Sequence, residues 1–281
     1  MKVTRTDAPV GAYVEGIDLA STNRAEIAEL EALIQRHSVL VFPRQALTPQ
    51  QQLDFTAQYG TIRRLRQDPM YSPSGYPDIL RISNIVEDGR PIGAIDAGQF
   101  WHSDNCIVPC PPFRSTLYAI ELPSPPADGT TLGDTLFVGT AEAYETLPED
   151  VKRAVEGRKA THAHAKRNHT LMQRQYGDDF QGRSIDHPIV RTHPVTKKKC
   201  LYVNEGYTTR VLGMPESESD ELLQYLFRHI TREEGIFRHR WNIGDLVFWD
   251  DCALQHKAVA DYPQEARRLL YRTTTDGAQV E

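Results

Sequence analysis

The chain has 281 residues, 40% hydrophobic and 25% charged, which excludes a disordered or fibrous polymer. A net charge of −6 argues against a generally basic nucleic-acid binder, and no apolar run is long enough to span a membrane. Four cysteines (Cys106, Cys110, Cys200 and Cys252) are too few for a disulfide scaffold, and the N-terminus carries no apolar leader, so the expected setting is a reducing cytoplasm.

In chain order, VGAYVEGIDL (residues 10–19) reads as a strand broken by glycines. RAEIAELEALIQRHS predicts a helix over residues 24–38, with Ile27, Leu30, Leu33 and Ile34 on one face. SVLVFP is a short apolar run closed by Pro43, as expected of a buried strand. Thr48-Pro49-Gln50-Gln51 has capping-box spacing with proline at the first helical position, so a helix is expected from there to Tyr59. From Pro77 onward strand signals dominate: DILRISNIV, FWHSD, RSTLYAIEL, KATHAHA, HPIVRTHP, CLYVNEGY, GDLVFWDD and RRLLYRTTT. Two helical stretches interrupt them. In TAEAYETLPEDVKRAVEG, Thr146-x-x-Glu149 can cap a second turn of helix; SESDELLQYLFRHIT puts Leu222, Leu223, Leu226 and Phe227 on one face. Many short strands with early or inserted helices imply a β-barrel or sandwich flanked by helices, and no linker splits the expected single domain, 1–281.

The most informative tripeptide is His102-Ser103-Asp104. In a strand, residues two apart share a face, so an imidazole and a carboxylate would project together. These are two of the three ligands of the 2-His-1-carboxylate triad of non-haem iron oxygenases, although His-x-Asp alone is common by chance. A third ligand must come from far along the chain. His256 stands at a strand–loop junction in WDDCALQHKAVADY, between two apolar strands. Other histidines have plainer readings: His37 and His229 in helices, His187 and His193 before prolines in turns, His239 solvated among basic residues. His162 and His164 form a competing pair with no carboxylate at a helpful spacing. Arg268 and Arg272, four apart after His256, would share a strand face and suit bidentate binding of carboxylate or sulfonate.

On these residues the sequence resembles the taurine/2-oxoglutarate dioxygenase family, which includes the aryloxyalkanoate dioxygenases. The resemblance runs through GAYVEGIDL, VLVFP, WHSD, ELPS, GDTLF, HPIVRTHP, LYVNEGYTTRVLGM, VFWDDCALQH and RRLLYRTTT, nearly the whole chain and in the family's order. It implies a mainly β fold with a double-stranded β-helix (jelly-roll, cupin-like) core and Fe(II) held by His102, Asp104 and His256. It also implies 2-oxoglutarate as co-substrate, gripped by Arg268 with the hydroxyl of Thr135, and O2 as oxidant. Because PPADGTTLGDT is longer than the family's usual loop, Thr130 or Thr131 could take the role of Thr135.

By the same resemblance Arg272 meets the anionic head of the substrate, with Tyr71, Asp68, Tyr207 and Asn105 completing the expected substrate set. Asp68 stands where the taurine enzyme has a histidine, Gly98 where it has an asparagine, and Tyr207 where it has a phenylalanine. An acid beside an anion site would repel a sulfonate, which argues against taurine itself and suits a substrate carrying an amino group as well as an acid. The alternative is that Asp68 belongs to a lid and pairs with Arg64 or Arg66.

The expected activity is hydroxylation of a C–H bond of a small anionic substrate, with succinate and CO2 as co-products and fragmentation where the carbon bears a heteroatom. The alternatives are a zinc-type metallohydrolase, which leaves the paired arginines unexplained, and a non-catalytic cupin-like binding protein. A halogenase is disfavoured because Asp104 is present. No nucleic-acid or membrane partner is expected. By analogy with the family the chain is expected to form a homo-oligomer, a dimer or tetramer.

Overall fold

The structure is a computed structural model that describes residues 1–64, 69–95, 98–163 and 184–281. Its N-terminal half contains β1 (Lys2–Arg5), β2 (Ala12–Glu15), α1 (Arg24–His37), β3 (Val39–Phe42), α2 (Pro49–Ala57), β4 (Leu80–Ser83), β5 (Val86–Glu87), β6 (Arg90–Pro91), β7 (Arg114–Glu121) and β8 (Thr135–Gly139). Then follow α3 (Thr140–Glu145), α4 (Glu149–Val155), β9 (Lys159–Ala163), β10 (Ser184–Pro188), β11 (Val190–Thr192), β12 (Lys199–Leu201), β13 (Thr208–Val211), α5 (Glu216–Ile230), β14 (Ile236–His239), β15 (Leu246–Asp250), β16 (Leu254–Ala258) and β17 (Leu269–Thr274).

Seven strands form the main sheet in the order β1-β2-β3-β15-β7-β17-β4, and a three-stranded sheet, β14-β8-β16, packs across it. Between them Val39, Val41, Val247 and Trp249 of the main sheet meet Phe137, Phe237 and Leu254 of the smaller one. The alternate residues Leu40, Phe42, Leu246 and Phe248 point the other way, against Leu30, Ile34, Phe55 and Tyr59 of α1, α2 and the turn after α2. Burial on both faces explains why SVLVFP and DLVFW are continuous apolar runs instead of alternating ones. Each large apolar side chain so buried contributes about 1.5–3 kcal/mol. A second core gathers Leu223, Leu226 and Ile230 of α5 over Ala160, Leu201 and Val211. The architecture is the expected jelly-roll β fold with helices outside. Among the described residues no helix is long and apolar enough to cross a membrane.

The caps of the two early helices set their starts. Thr48 accepts from the Gln51 backbone N–H while Gln51 accepts from that of Thr48, the expected capping box. Asn23, which the sequence reading passed over, makes the same reciprocal box with Glu26 at the head of α1.

Several expectations are corrected. VGAYVEGIDL shortens to β2, and HPIVRTHP breaks at Ile189 into the ends of β10 and β11. Thr146 does not cap α4: its hydroxyl donates back to the carbonyls of Glu142 and Ala143, closing α3, and α4 starts after Pro148. FWHSD is no strand, because only His102 pairs, in an isolated bridge to His256, and the chain turns at Asp104. His187 and His239 are buried on β10 and β14, not turn or solvated residues, and His193, which does open a turn as expected, is buried as well. Protein partners replace water for two of them, the Val108 carbonyl for His187 and Asp250 for His193, while His239 packs on the Trp241 ring with Asp245 Oδ2 3.5 Å from its Nε2.

Candidate metal centre

β16 carries His256 on the smaller sheet, opposite Phe137 of β8. The chain before Asp104 is stitched to it: His102 and His256 exchange both backbone hydrogen bonds, at 3.2 and 3.0 Å, and the Ser103 hydroxyl donates to the Leu254 carbonyl. Directly paired residues of an antiparallel bridge put their side chains on one face, and the two rings lie 4.2 Å apart between centroids. Asn105, exposed and with a left-handed backbone (φ 44°), turns the chain directly after Asp104. Asp104 Oδ1 thereby lies 3.6 Å from His102 Nε2 and 3.8 Å from His256 Nε2. One ligand atom from each residue falls within 4.8 Å of the others.

The protonation states suit a cation. His102 Nδ1 lies 2.9 Å from the Phe100 carbonyl; carrying the proton there leaves Nε2 with a lone pair facing Asp104. Burial, with His102 and Arg272 alongside, pushes His256 down to about 3 against the opposing pull of Asp104, so its ring is neutral near pH 7. Burial alone would raise Asp104, but Arg272, His256 and His102 around it hold the carboxyl well below its ordinary range. Two imidazoles and one carboxylate are a donor set that fits Fe(II).

Walls and anchors surround this trio. Trp249 packs 5.2 Å and Phe137 6.0 Å from the His256 ring. Phe100 and Tyr207, 5.6 Å apart, stand over His102. At Gly98 (φ +77°) a Cβ would come within 2.8 Å of His102 Cε1, so the backbone can pass the imidazole only as glycine. Arg272 Nη2 donates to Asp104 Oδ2, and its guanidinium lies 5.7 Å over the Trp249 ring. Arg268, one residue before β17, is buried; its Nη2 donates to the Gly133 carbonyl at 3.0 Å while its Nε has no partner. Gly133 (φ +74°) leaves room for it, since a Cβ there would sit 2.7 Å from Nε. A buried guanidinium with an unfilled N–H is a receptor for an anion, and it fits a co-substrate carboxylate.

Among the threonines of the long loop, Thr135 is buried and accepts from Trp241 Nε1 at 3.0 Å, which leaves its hydroxyl hydrogen to donate. Thr131 donates to Asp134 and Thr130 is exposed. Tyr71 ends a 3-10 turn, Pro69–Tyr71, and is half-buried. Asp68 and Arg66 lie outside the described residues, as does His164; Arg64 donates to Asp78 at 2.8 Å. The sequence alone does not single out Trp249, Phe137 and Asp251, although Trp249 and Asp251 stand in the run just upstream of His256 and Phe137 ends GDTLF. Burial, and Asp104 beside it, push the Asp251 carboxyl well above its ordinary range, with Arg272 opposing.

A second cluster, His193, Asp250 and Cys252, has equally close ligand atoms. His193 Nδ1 accepts backbone N–H bonds from Val195 and Thr196, so the proton is on Nε2, which donates to Asp250 Oδ2 at 2.8 Å. Arg114 takes the same oxygen at 2.8 Å, and the Cys252 backbone N–H takes the other at 2.9 Å. Burial pushes the Cys252 thiol up to about 12, so it stays protonated near pH 7. The imidazole and the carboxylate of this cluster are thus bonded to one another and to Arg114, and the thiol is not a thiolate ligand.

Residues 3–274 match the family model described as taurine catabolism dioxygenase TauD, TfdA family. The chain is 34% identical, over 94% of its length and 93% of the relative's, to an alpha-ketoglutarate-dependent 2,4-dichlorophenoxyacetate dioxygenase of Cupriavidus pinatubonensis. A taurine dioxygenase from Burkholderia xenovorans superposes with a TM-score of 0.82 at 30% identity, covering 99% of this chain and 90% of that one. AAD-2 in complex with Mn(II) and N-oxalylglycine superposes with a TM-score of 0.81 at 26% identity, covering 99% and 98%.

Proposed function

Because the chain belongs to the taurine catabolism dioxygenase (TauD, TfdA) family, and so is a 2-oxoglutarate-dependent dioxygenase using Fe(II) and O2, we propose how its own residues divide the work. His102, Asp104 and His256 hold the iron, and Arg268 with Thr135 receives the distal carboxylate of 2-oxoglutarate. Arg272 meets the anionic head of a small organic acid. One observation carries the reading: the Nε2 atoms of His102 and His256 face Asp104 Oδ1 without a bond to it, Arg272 bonds the other oxygen of Asp104, and Arg268 and Arg272 each keep a buried, unpartnered Nε.

When bound, the iron supplies oxidation of a C–H bond coupled to decarboxylation of 2-oxoglutarate to succinate. The chain's part is placement. His102 keeps its proton on Nδ1, toward Phe100, so that Nε2 remains a ligand. Arg268 fixes the co-substrate by a charge-assisted bond in a water-poor site, where such bonds are strong. Arg272 exchanges its bond to Asp104 for the incoming anion, and the Trp249 face keeps the guanidinium from swinging away. Phe100 and Tyr207 offer ring edges and faces beside His102, which favours an aryl group on the substrate. The substrate class that fits is therefore an aryloxyalkanoate, ahead of a small sulfonate. Hydroxylation of the carbon next to the ether oxygen would break the product into a phenol and a carbonyl compound.

The test is succinate formation and O2 uptake that require Fe(II) and 2-oxoglutarate, screened with aryloxyacetates, aryloxypropionates, small sulfonates and amino acids. Stimulation by an aryloxyalkanoate is expected. A response to sulfonates or amino acids alone would sink the substrate assignment, and Zn(II)-supported hydrolysis without O2 uptake would sink the whole reading.

A further inference from the structure

Asp251 is a buried carboxyl beside the candidate ligands, and the division of roles above does not use it. Its two oxygens are both committed: Oδ1 accepts from Trp249 Nε1 at 2.9 Å and Oδ2 from the Ser115 hydroxyl at 2.7 Å. Each partner continues to the site. The Trp249 indole packs 5.2 Å from the His256 ring and lies 5.7 Å beneath the Arg272 guanidinium. The Ser115 hydroxyl lies 3.5 Å from Arg272 Nη2 and 2.8 Å from the Thr274 hydroxyl. Asp251 itself follows the last residue of β15, while Ser115 belongs to β7 and Thr274 to β17. The carboxyl therefore ties three adjacent strands together directly under the site.

We propose that Asp251 is a positioning residue: by clamping Trp249 and Ser115 it fixes the ring of His256 and the guanidinium of Arg272 in the orientations that metal and anion binding require. An indole N–H can only donate, so Asp251 supplies the acceptor that stops the ring from rotating. A ring so fixed gives His256 a rigid wall and Arg272 a rigid floor. Groups that orient metal ligands from behind typically change metal affinity by about 10–100-fold when lost.

The proposal rests on His102, Asp104 and His256 being the metal site, and its test separates the two. Mn(II) is titrated calorimetrically into the metal-free full-length chain and its variants, alongside thermal melting. Asp251→Ala is expected to lower Mn(II) affinity by about 10–100-fold in protein that still melts cooperatively. Asp251→Asn is expected to recover most of that loss. Its amide oxygen still accepts from Trp249, and its NH2 can donate to Ser115, whose own hydrogen then goes to Thr274. If Asp251→Ala does not fold, Trp249→Phe, which keeps an aromatic ring and deletes the N–H, takes its place and is expected to weaken Mn(II) binding. Unchanged affinity in a folded Asp251→Ala chain, or in Trp249→Phe, would overturn the proposal. So would an Asp251→Asn chain as weak as the alanine one. If the parent chain binds no Mn(II), the three-ligand assignment fails first, and the role of Asp251 falls with it.

Discussion

Two clusters in this molecule are built around histidine and aspartate and differ in what those side chains already bond. Around His102, Asp104 and His256 the imidazole Nε2 atoms face a carboxylate oxygen at 3.6 and 3.8 Å without bonding to it. Around His193, Asp250 and Cys252 the imidazole bonds the carboxylate directly, and Arg114 neutralises Asp250 while also donating to Glu31 of α1. The first cluster offers electron pairs to something outside the protein; the second is an ion pair closed on itself that fastens α1 to β15. One has a second histidine where the other has a cysteine, and both lie in the interior, so residue type and burial alone do not tell them apart. What separates a binding site from a structural knot is whether the protein has already satisfied its own polar atoms.

Five substitutions break or sharpen that contrast, taken from the largest effect down. His256→Ala is expected to abolish Mn(II) binding measured by calorimetry while the chain still melts cooperatively. His193→Ala should leave Mn(II) bound at the parent stoichiometry; loss of binding there instead would reverse the two assignments. Asp250→Ala should destabilise the fold by about 3–5 kcal/mol in urea unfolding, because Arg114 loses its buried partner and keeps only the part-exposed Glu31. Metal binding in the folded fraction should survive.

Arg268→Ala should raise the 2-oxoglutarate concentration needed for half-maximal turnover by about 10–100-fold, the loss of a hydrogen bond between charged groups worth about 1.5–3 kcal/mol. The apparent KM for the primary substrate should move less, and the reverse pattern would exchange the roles of Arg268 and Arg272. The smallest effect concerns a third buried imidazole. Burial, with His187 beside it, pushes His162 down to about 3 from the 6.5 of an unfolded chain. In that window the folded state binds fewer protons than the unfolded one. The contribution of His162 is therefore fully present above pH 6.5 and is lost as pH falls towards 3, by about 1.4 kcal/mol per pH unit. Urea midpoints of the metal-free chain between pH of about 7.5 and about 5 should fall less steeply for His162→Gln than for the parent. Parallel slopes would show that His162 is not held neutral.

Much of this was legible beforehand, and unevenly. Strands such as β3 and β15 announce themselves because both their faces are buried, which writes apolar residues into nearly every position. His102, Asp104 and His256 could be picked out because a three-ligand site needs specific residue types, and WHSD and LQH carried them along with a family resemblance. The geometry that joins them was misread: the pair projects from a single bridge and a left-handed turn at Asn105, not from a strand, and no local pattern distinguishes the two. His187, His193 and His239 were taken for peripheral residues, because their partners, Val108, Asp250 and Trp241, are set by tertiary packing. Asp251 was read as the tail of a strand for the same reason. Its importance depends on Ser115, a residue of a different strand that becomes its neighbour only in the sheet.

The bridge between His102 and His256 has a consequence for how the molecule assembles. Ser103 and Leu254, bonded beside it, are 151 residues apart in sequence. Contacts between such distant segments close large loops, and the entropy of that closure is recovered only once the intervening strands have docked. The two imidazoles therefore cannot meet in a partly folded chain. Metal capture during refolding becomes a clock for the final step: a bound-ion signal should lag behind the far-UV signal of helices and strands and keep pace with burial of Trp249.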